Sequence, residues 1–267
     1  MAKKNASQVD GGTRDKAKQL REAQAKSDQR TRNIIIALVV VLIAAIAIAI
    51  VFVVVNRPTP ESAAEGLPEQ FREGQPIVVS SEGVGVSNPD AEDLTFYFDY
   101  TCGACTQLEM ALRPHLTDTA QAGDYNLLIQ PVITSGGAYN VAATAGALVV
   151  AAGAPDLFLE FQDALTDRFY EAATSEDTFY QDLEASREQV AEIARGVGVS
   201  EDLIATFDTD AAQGYLTTAT DTWVAADIQD RTQVATPEFV AHNKNITLTG
   251  DTAEAVIAEL LTAVSGS

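Results

Sequence analysis

Residues 96–110 read "FYFDYTCGACTQLEM". They hold Cys102 and Cys105, the only two cysteines of the chain. The aromatic run "LTFYFDY" (94–100) has the composition of a buried strand, and from Gly103 to about Ala122 the apolar spacing turns helical, with Leu108, Ala111, Leu112 and Leu116 near one face. The pattern therefore predicts a strand that delivers a Cys-x-x-Cys pair to the start of a helix. That spacing spans one helical turn, so the two sulfurs can approach bonding distance. At the first position, unpaired backbone N–H groups and the helix dipole favour a thiolate. A lowered thiol pKa makes a better leaving group and, in the reduced form, a ready nucleophile. Cys102 is thus expected as the exposed attacking thiol, and Cys105, one turn inward, as the protected resolving thiol.

Other uses of two thiols fit less well. A zinc site needs about four ligands. The only histidines are His115, inside the same predicted helix, and His242. An inert staple would more usefully close a long loop, because a two-residue spacer constrains the unfolded chain little. A cysteine-protease nucleophile would want a histidine partner, and no motif places either histidine. A redox couple is favoured, with no metal and no other cofactor expected.

Outward from the pair, "PIVVSSEGVGV" (76–86) predicts two short strands around a Ser-Glu-Gly turn, and "YNLLIQPVI" (125–133) a central strand. Pro114 should kink the helix that follows the cysteines. Residues 137–230 are almost wholly helical in character. Strand character returns at "EFVAH" and "NITLT", joined by a polar turn at Asn243-Lys244, before a capped amphipathic helix, "DTAEAVIAELLTAV". The order predicts an α/β protein: a mixed sheet with flanking helices and an all-helical insertion over about 137–230. Phe158, Phe161, Phe169 and Trp223 are expected in the core. "QVATPEF" (233–239) sets Thr236-Pro237 at the mouth of a strand, where proline is tolerated because it cannot donate to a ladder. With a cis bond there, the Thr236 backbone would be free to pair with a substrate chain near the thiol.

Residues 34–55, "IIIALVVVLIAAIAIAIVFVVV", contain no charge. A helix of that length reaches roughly 33 Å, enough to cross a bilayer core of ~30 Å. The run is too long for a cleaved signal peptide and lacks a good cleavage motif after it. An uncleaved transmembrane helix is expected. Basic residues cluster before it (Arg14, Lys16, Lys18, Arg21, Lys26, Arg30, Arg32), while residues 56–75 carry only Arg57 and Arg72. This bias puts the basic tail, 1–33, in the cytoplasm and the rest outside a cytoplasmic membrane. Residues 56–75, rich in Pro, Glu and Ala, are expected as a linker to a domain at 76–267.

The net charge of -21 averages two unlike parts. Residues 1–33 hold nine Lys/Arg and four Asp/Glu; removing them from totals of 17 and 38 leaves eight basic and 34 acidic residues beyond. So acidic a surface should repel nucleic acid and anionic lipid. Residues 34–55 remain the expected contact with the bilayer.

Over roughly 76–267 the chain resembles the DsbA-like branch of the thioredoxin superfamily. "FDYTCGAC" is similar to that branch's Asp-Phe-x-Cys-Pro-x-Cys entry, "AATAGALVVAAGAPDLFLEFQDALTDRF" to its helical segment, and "TPEFVAHNK" to its cis-proline strand and hairpin. The resemblance implies a thioredoxin-like fold with an inserted all-helical domain. It also implies thiol–disulfide exchange on unfolded or reduced exported proteins, and a membrane oxidase that reoxidises the thiols. It makes Cys102 the nucleophile, Cys105 the resolving thiol and Pro237 the cis-proline beside them. Gly103-Ala104 departs from the branch, lacking its usual proline and the histidine that helps lower the thiol pKa to about 3.5, against about 7 in thioredoxin. An intermediate pKa and a less oxidising couple follow. Thr236 does not settle the direction of exchange. Asp99 is either a proton relay or helix cap, or a solvated acid at a strand end. Glu238 would raise the thiolate pKa if it pointed inward. Oxidase is the leading expectation; a reductase, an isomerase and a redox-inactive binding factor are the alternatives.

Overall fold

A computed structural model describes residues 66–113 and 115–266. The expected tail (1–33) and membrane span (34–55) lie outside the described residues, as do Pro114 and the first half of the expected linker. Among the described residues no helix is long and apolar enough to cross a membrane.

The chain runs β1 (Ile77–Ser80), β2 (Gly83–Val84), β3 (Asp93–Phe98), α1 (Gly103–Leu112), α2 (His115–Ala122) and β4 (Asn126–Pro131). The helical block follows: α3 (Ala138–Gly153), α4 (Phe158–Ala173), α5 (Leu183–Gly196), α6 (Glu201–Ile204) and α7 (Thr209–Ala225). Then come β5 (Glu238–Ala241), β6 (Lys244–Ile246) and α8 (Ala253–Val264). The strands form one mixed sheet in the order β2-β1-β4-β3-β5-β6. Only β3 and β4 pair parallel; the remaining ladders are antiparallel.

Both faces of β3 are covered. Leu94, Phe96 and Phe98 are buried on one side, with Phe96 stacked on Phe239 at 4.5 Å between ring centroids. On the other, Tyr97 stacks on Trp223 of α7 at 5.4 Å. Fully burying one such aromatic contributes roughly 1.5–3 kcal/mol, so the strand that leads into the cysteines is among the best anchored parts of the fold. Phe158, Phe161, Phe169 and Trp223 are all core residues. The small side chains of α3 let its neighbours close in: a Cβ on Gly146 would stand 2.9 Å from both Phe161 and Val190.

Three local expectations change. The helix after the cysteines is two helices, because Arg113, the residue before Pro114, is extended (φ -69, ψ 134), as steric conflict with a following proline favours. Leu67 and Phe71, expected in the linker, are buried; a Pro/Glu-rich average hides two apolar anchors. The β5–β6 turn sits one residue earlier, on His242 and Asn243, both at positive φ.

Candidate redox-active site

The parallel pair β3/β4 sends both C-terminal ends to one edge of the sheet, and three loops converge there: 99–102, 132–137 and 232–237. Cys102 is the N-cap of α1, with extended backbone (φ -89, ψ 108). Its Sγ accepts the Cys105 N–H at 3.2 Å, and its own N–H donates to the Asp99 carbonyl at 2.9 Å. A sulfur thus takes the role that a serine or aspartate oxygen plays at most helix starts. Its thiol lies 3.6 Å from the Thr236 carbonyl, and the Thr236-Pro237 bond is cis. Both cysteines are free thiols.

These contacts move the two thiols apart. Cys102 falls to about 6. The Cys105 thiol donating to it contributes most; partial burial opposes, the Thr236 hydroxyl and the Cys105 N–H assist, and the Asp99 charge pushes back. Cys105 is driven far upward, first by burial and then by sharing its hydrogen bond with Cys102. The intermediate acidity expected of Cys102 is met. Its expected exposure needs correction. Cys102 is only 8% exposed, against 0% for Cys105, because the Thr236 loop reaches over it. Gly103 and Ala104 beside it are exposed, and a Cβ on Gly103 would meet nothing within 4 Å.

Asp99 is fully buried, which overturns its reading as a solvated strand-end acid. Nor does its side chain cap α1, since Cys102 does so. Its Oδ1 accepts from the Thr101 N–H and hydroxyl, both at 2.7 Å. Its Oδ2 accepts the Thr134 and Ser135 N–H groups at 2.8 Å and the Thr134 hydroxyl at 3.2 Å. The carboxylate therefore ties the cysteine loop to the loop after β4. Gly137 completes this junction, where a Cβ would stand 2.5 Å from the Thr101 side chain. Asn140 adds a third tie, accepting the Tyr100 N–H at 3.0 Å and donating to the Val132 carbonyl at 2.9 Å.

Glu238, weighed as a neighbour of the thiolate, belongs to a different cluster. Its carboxylate accepts from Arg231 at 2.9 and 2.7 Å, from the Trp223 indole at 2.6 Å and from Asn245 at 2.9 Å. Strand alternation aims it at the Trp223 face of the sheet. Sequence reading missed Thr134, Ser135 and Arg231. The first two had a signal in the parallel β3/β4 register, which sets Phe98 beside Pro131 and so brings the residues just beyond each strand together. Arg231 had none, since its partner is seven positions away across a loop. Among the described residues no group of His, Cys, Asp and Glu could hold a metal ion.

The architecture has solved counterparts. MdbA, a thiol-disulfide oxidoreductase from Actinomyces oris, superposes with a TM-score of 0.58 at 20% identity, over 79% of this chain and 100% of that one. The chain has a DsbA-like thioredoxin fold. Oxidised DsbA from Mycobacterium tuberculosis matches over 72% of this chain and 93% of that one, with a TM-score of 0.52 and 21% identity. Oxidised BdbD from Bacillus subtilis matches over 73% and 96%, with a TM-score of 0.51 and 21% identity. No family model and no curated protein matches the sequence. The resemblance read from "FDYTCGAC" and "TPEFVAHNK" is thus met at the level of fold.

Proposed function

We propose that this chain is a protein thiol–disulfide oxidoreductase, anchored by residues 34–55 in the cytoplasmic membrane with its DsbA-like domain outside, and that it oxidises exported proteins. The observation that carries the reading is Cys102 at the start of α1. Its sulfur is hydrogen-bonded by Cys105 and lowered to about 6, while Cys105 is sealed and driven up. In the oxidase direction a client thiolate attacks Sγ of Cys102 in the Cys102–Cys105 disulfide. That bond breaks, and Cys105 leaves and takes up a proton. The client's second thiolate then attacks the client sulfur of the mixed disulfide and expels Cys102 as a thiolate. The client gains one disulfide, and the cysteine pair gains two electrons and the proton held on Cys105.

Each residue has a part in this. The low pKa of Cys102 makes it the better leaving group in the second step, and the complete burial of Cys105 directs the first attack to Cys102. Pro237 presents the Thr236 carbonyl beside Cys102, where an extended client backbone would lie. Thr236 tunes the sulfur through its hydroxyl, Asp99 through its charge, and Gly103-Ala104 leave the approach open. Glu238 supports the Pro237 loop from behind. Recharging requires an oxidant outside the described residues, and a membrane-bound thiol oxidase fits the anchored position. The loops around Cys102 expose no charged side chain between Thr101 and Leu108, between Ile133 and Ala138, or between Thr232 and Pro237, so client capture should depend little on client charge.

The test uses the full-length chain in detergent. Its oxidised form should introduce disulfides into a reduced, unfolded client, and Cys102→Ser should abolish this. A failure of the oxidised wild type to do so removes the oxidase reading. A reductase is the alternative the acidity leaves closest, and the reduction potential separates them: ~-120 mV marks a strong oxidase and ~-270 mV a thioredoxin-like reductant.

A further inference from the structure

Two hydroxyls, those of Thr134 and Thr236, run from the buried Asp99 to the residue whose carbonyl stands over the Cys102 sulfur. Every hydrogen bond of the Asp99 side chain is one that it accepts. The Thr134 hydroxyl stands 3.2 Å from Asp99 Oδ2 and 2.7 Å from the Thr236 hydroxyl. Thr134 has one hydroxyl proton. When it goes to Asp99, the Thr134 oxygen can only accept, and the single Thr236 proton must point toward Thr134. Thr236 lies against Cys102, its carbonyl 3.6 Å from the sulfur, and donation from its hydroxyl to that sulfur would favour the thiolate. Two acceptors therefore compete for one proton: the Thr134 oxygen, and the sulfur of Cys102.

We propose that Thr134 is a positioning residue of the redox site: held as a donor to Asp99, it draws the Thr236 hydroxyl proton away from Cys102 and keeps that thiol less acidic than it would otherwise be. Neither Asp99 nor Thr134 touches the sulfur; the effect passes through Thr236. The backbone N–H of Thr134 holds the loop to Asp99 at 2.8 Å whatever side chain follows. The hydroxyl is thus free for orientation, and the two duties of Thr134 can be separated by substitution. The proposal rests on the redox reading only for its consequence in exchange, because the acidity of Cys102 can be read without any client.

The experiment titrates Cys102 in the reduced full-length protein, by the pH dependence of its alkylation, in wild type, Thr134→Val, Thr134→Ala and Thr134→Ser. Thr134→Val and Thr134→Ala should lower the Cys102 pKa by about half a pH unit, the size expected for one redirected hydrogen bond. They should also shift the glutathione equilibrium several-fold toward the reduced pair. Thr134→Ser, which keeps the hydroxyl, should titrate as wild type. In a Thr236→Val background, Thr134→Val should have no further effect, an outcome that a merely structural role would not give. An unchanged or raised pKa in Thr134→Val, or an equal shift in the Thr236→Val background, overturns the proposal. A wild type that titrates normally but exchanges with no disulfide sinks the oxidoreductase reading instead and leaves the Thr134 comparison intact.

Discussion

Arg231 and Glu238 meet in a two-pronged ion pair, 2.9 and 2.7 Å, directly behind the loop that carries Thr236 and Pro237. Their side chains are 7% and 2% exposed. Trp223, Asn245 and two backbone carbonyls take up the remaining valences of the pair. The arrangement anchors the first residue of β5 to the end of α7.

Breaking such a pair from one side leaves a buried charge alone, which costs about 3–5 kcal/mol. Arg231→Met should therefore destabilise the protein by about that much in denaturant unfolding. Removing both charges in Arg231→Met/Glu238→Leu should restore most of the loss, since a buried ion pair rarely outperforms apolar packing.

Asp99 makes a different prediction. Asp99→Ala would remove the acceptor of the part-buried N–H groups of Thr101, Thr134 and Ser135, at about 0.5–1.5 kcal/mol for each hydrogen bond lost. Asp99→Asn keeps much of the shape and removes the charge that opposes the thiolate. It should lower the Cys102 pKa below about 6, measured by the pH dependence of alkylation.

A second acidic cluster joins α1 to α4. Arg113 contacts Glu109, Asp163 and Asp167 at 2.5, 3.0 and 3.1 Å. Burial pushes Asp163 up to about 7; Arg113 opposes this, while Glu109 and Asp167 reinforce it. A folded-state value raised above the unfolded one means that the stabilisation is complete below about pH 4 and is lost as pH rises through about 7. Asp163→Asn should flatten the stability profile over that window and leave the variant more stable than wild type at pH 8, by thermal unfolding across pH.

Cys102 carries the opposite sign. Its folded value lies below that of an ordinary thiol, so its contribution to the reduced protein is present near pH 9 and fades as pH falls through about 6. Reduced wild type should lose stability relative to reduced Cys102→Ala as pH is lowered from 8 to 6, and the oxidised protein should show no such slope from this pair.

Much of this was legible in the sequence, because strong local patterns and the final packing agree. The aromatic run into Cys102, the Thr-Pro at a strand mouth and the small-residue helix 138–153 each became what their composition predicts. The membrane span at 34–55 stays an expectation from hydropathy. What composition could not reveal were contacts set by the crossing of distant loops. Asp99 looks like any acid at a strand end until Thr134 and Ser135 arrive, 35 and 36 positions later, to bury it. Glu238 looks like a neighbour of the thiol until strand alternation turns it toward Trp223 and Arg231. Leu67 and Phe71 look like linker because their neighbours are polar.

The central claim is that Cys102 and Cys105 form one two-electron couple governed by the acidity of Cys102. Equilibrating the full-length chain against glutathione buffers and counting free thiols by alkylation and mass tests it most directly. The account predicts a single transition in which both thiols disappear together, at a potential between those of thioredoxin and the strongest oxidases, about -270 and -120 mV. Thiols that stay free across the whole range, or that are lost one at a time as separate glutathione adducts, would contradict it.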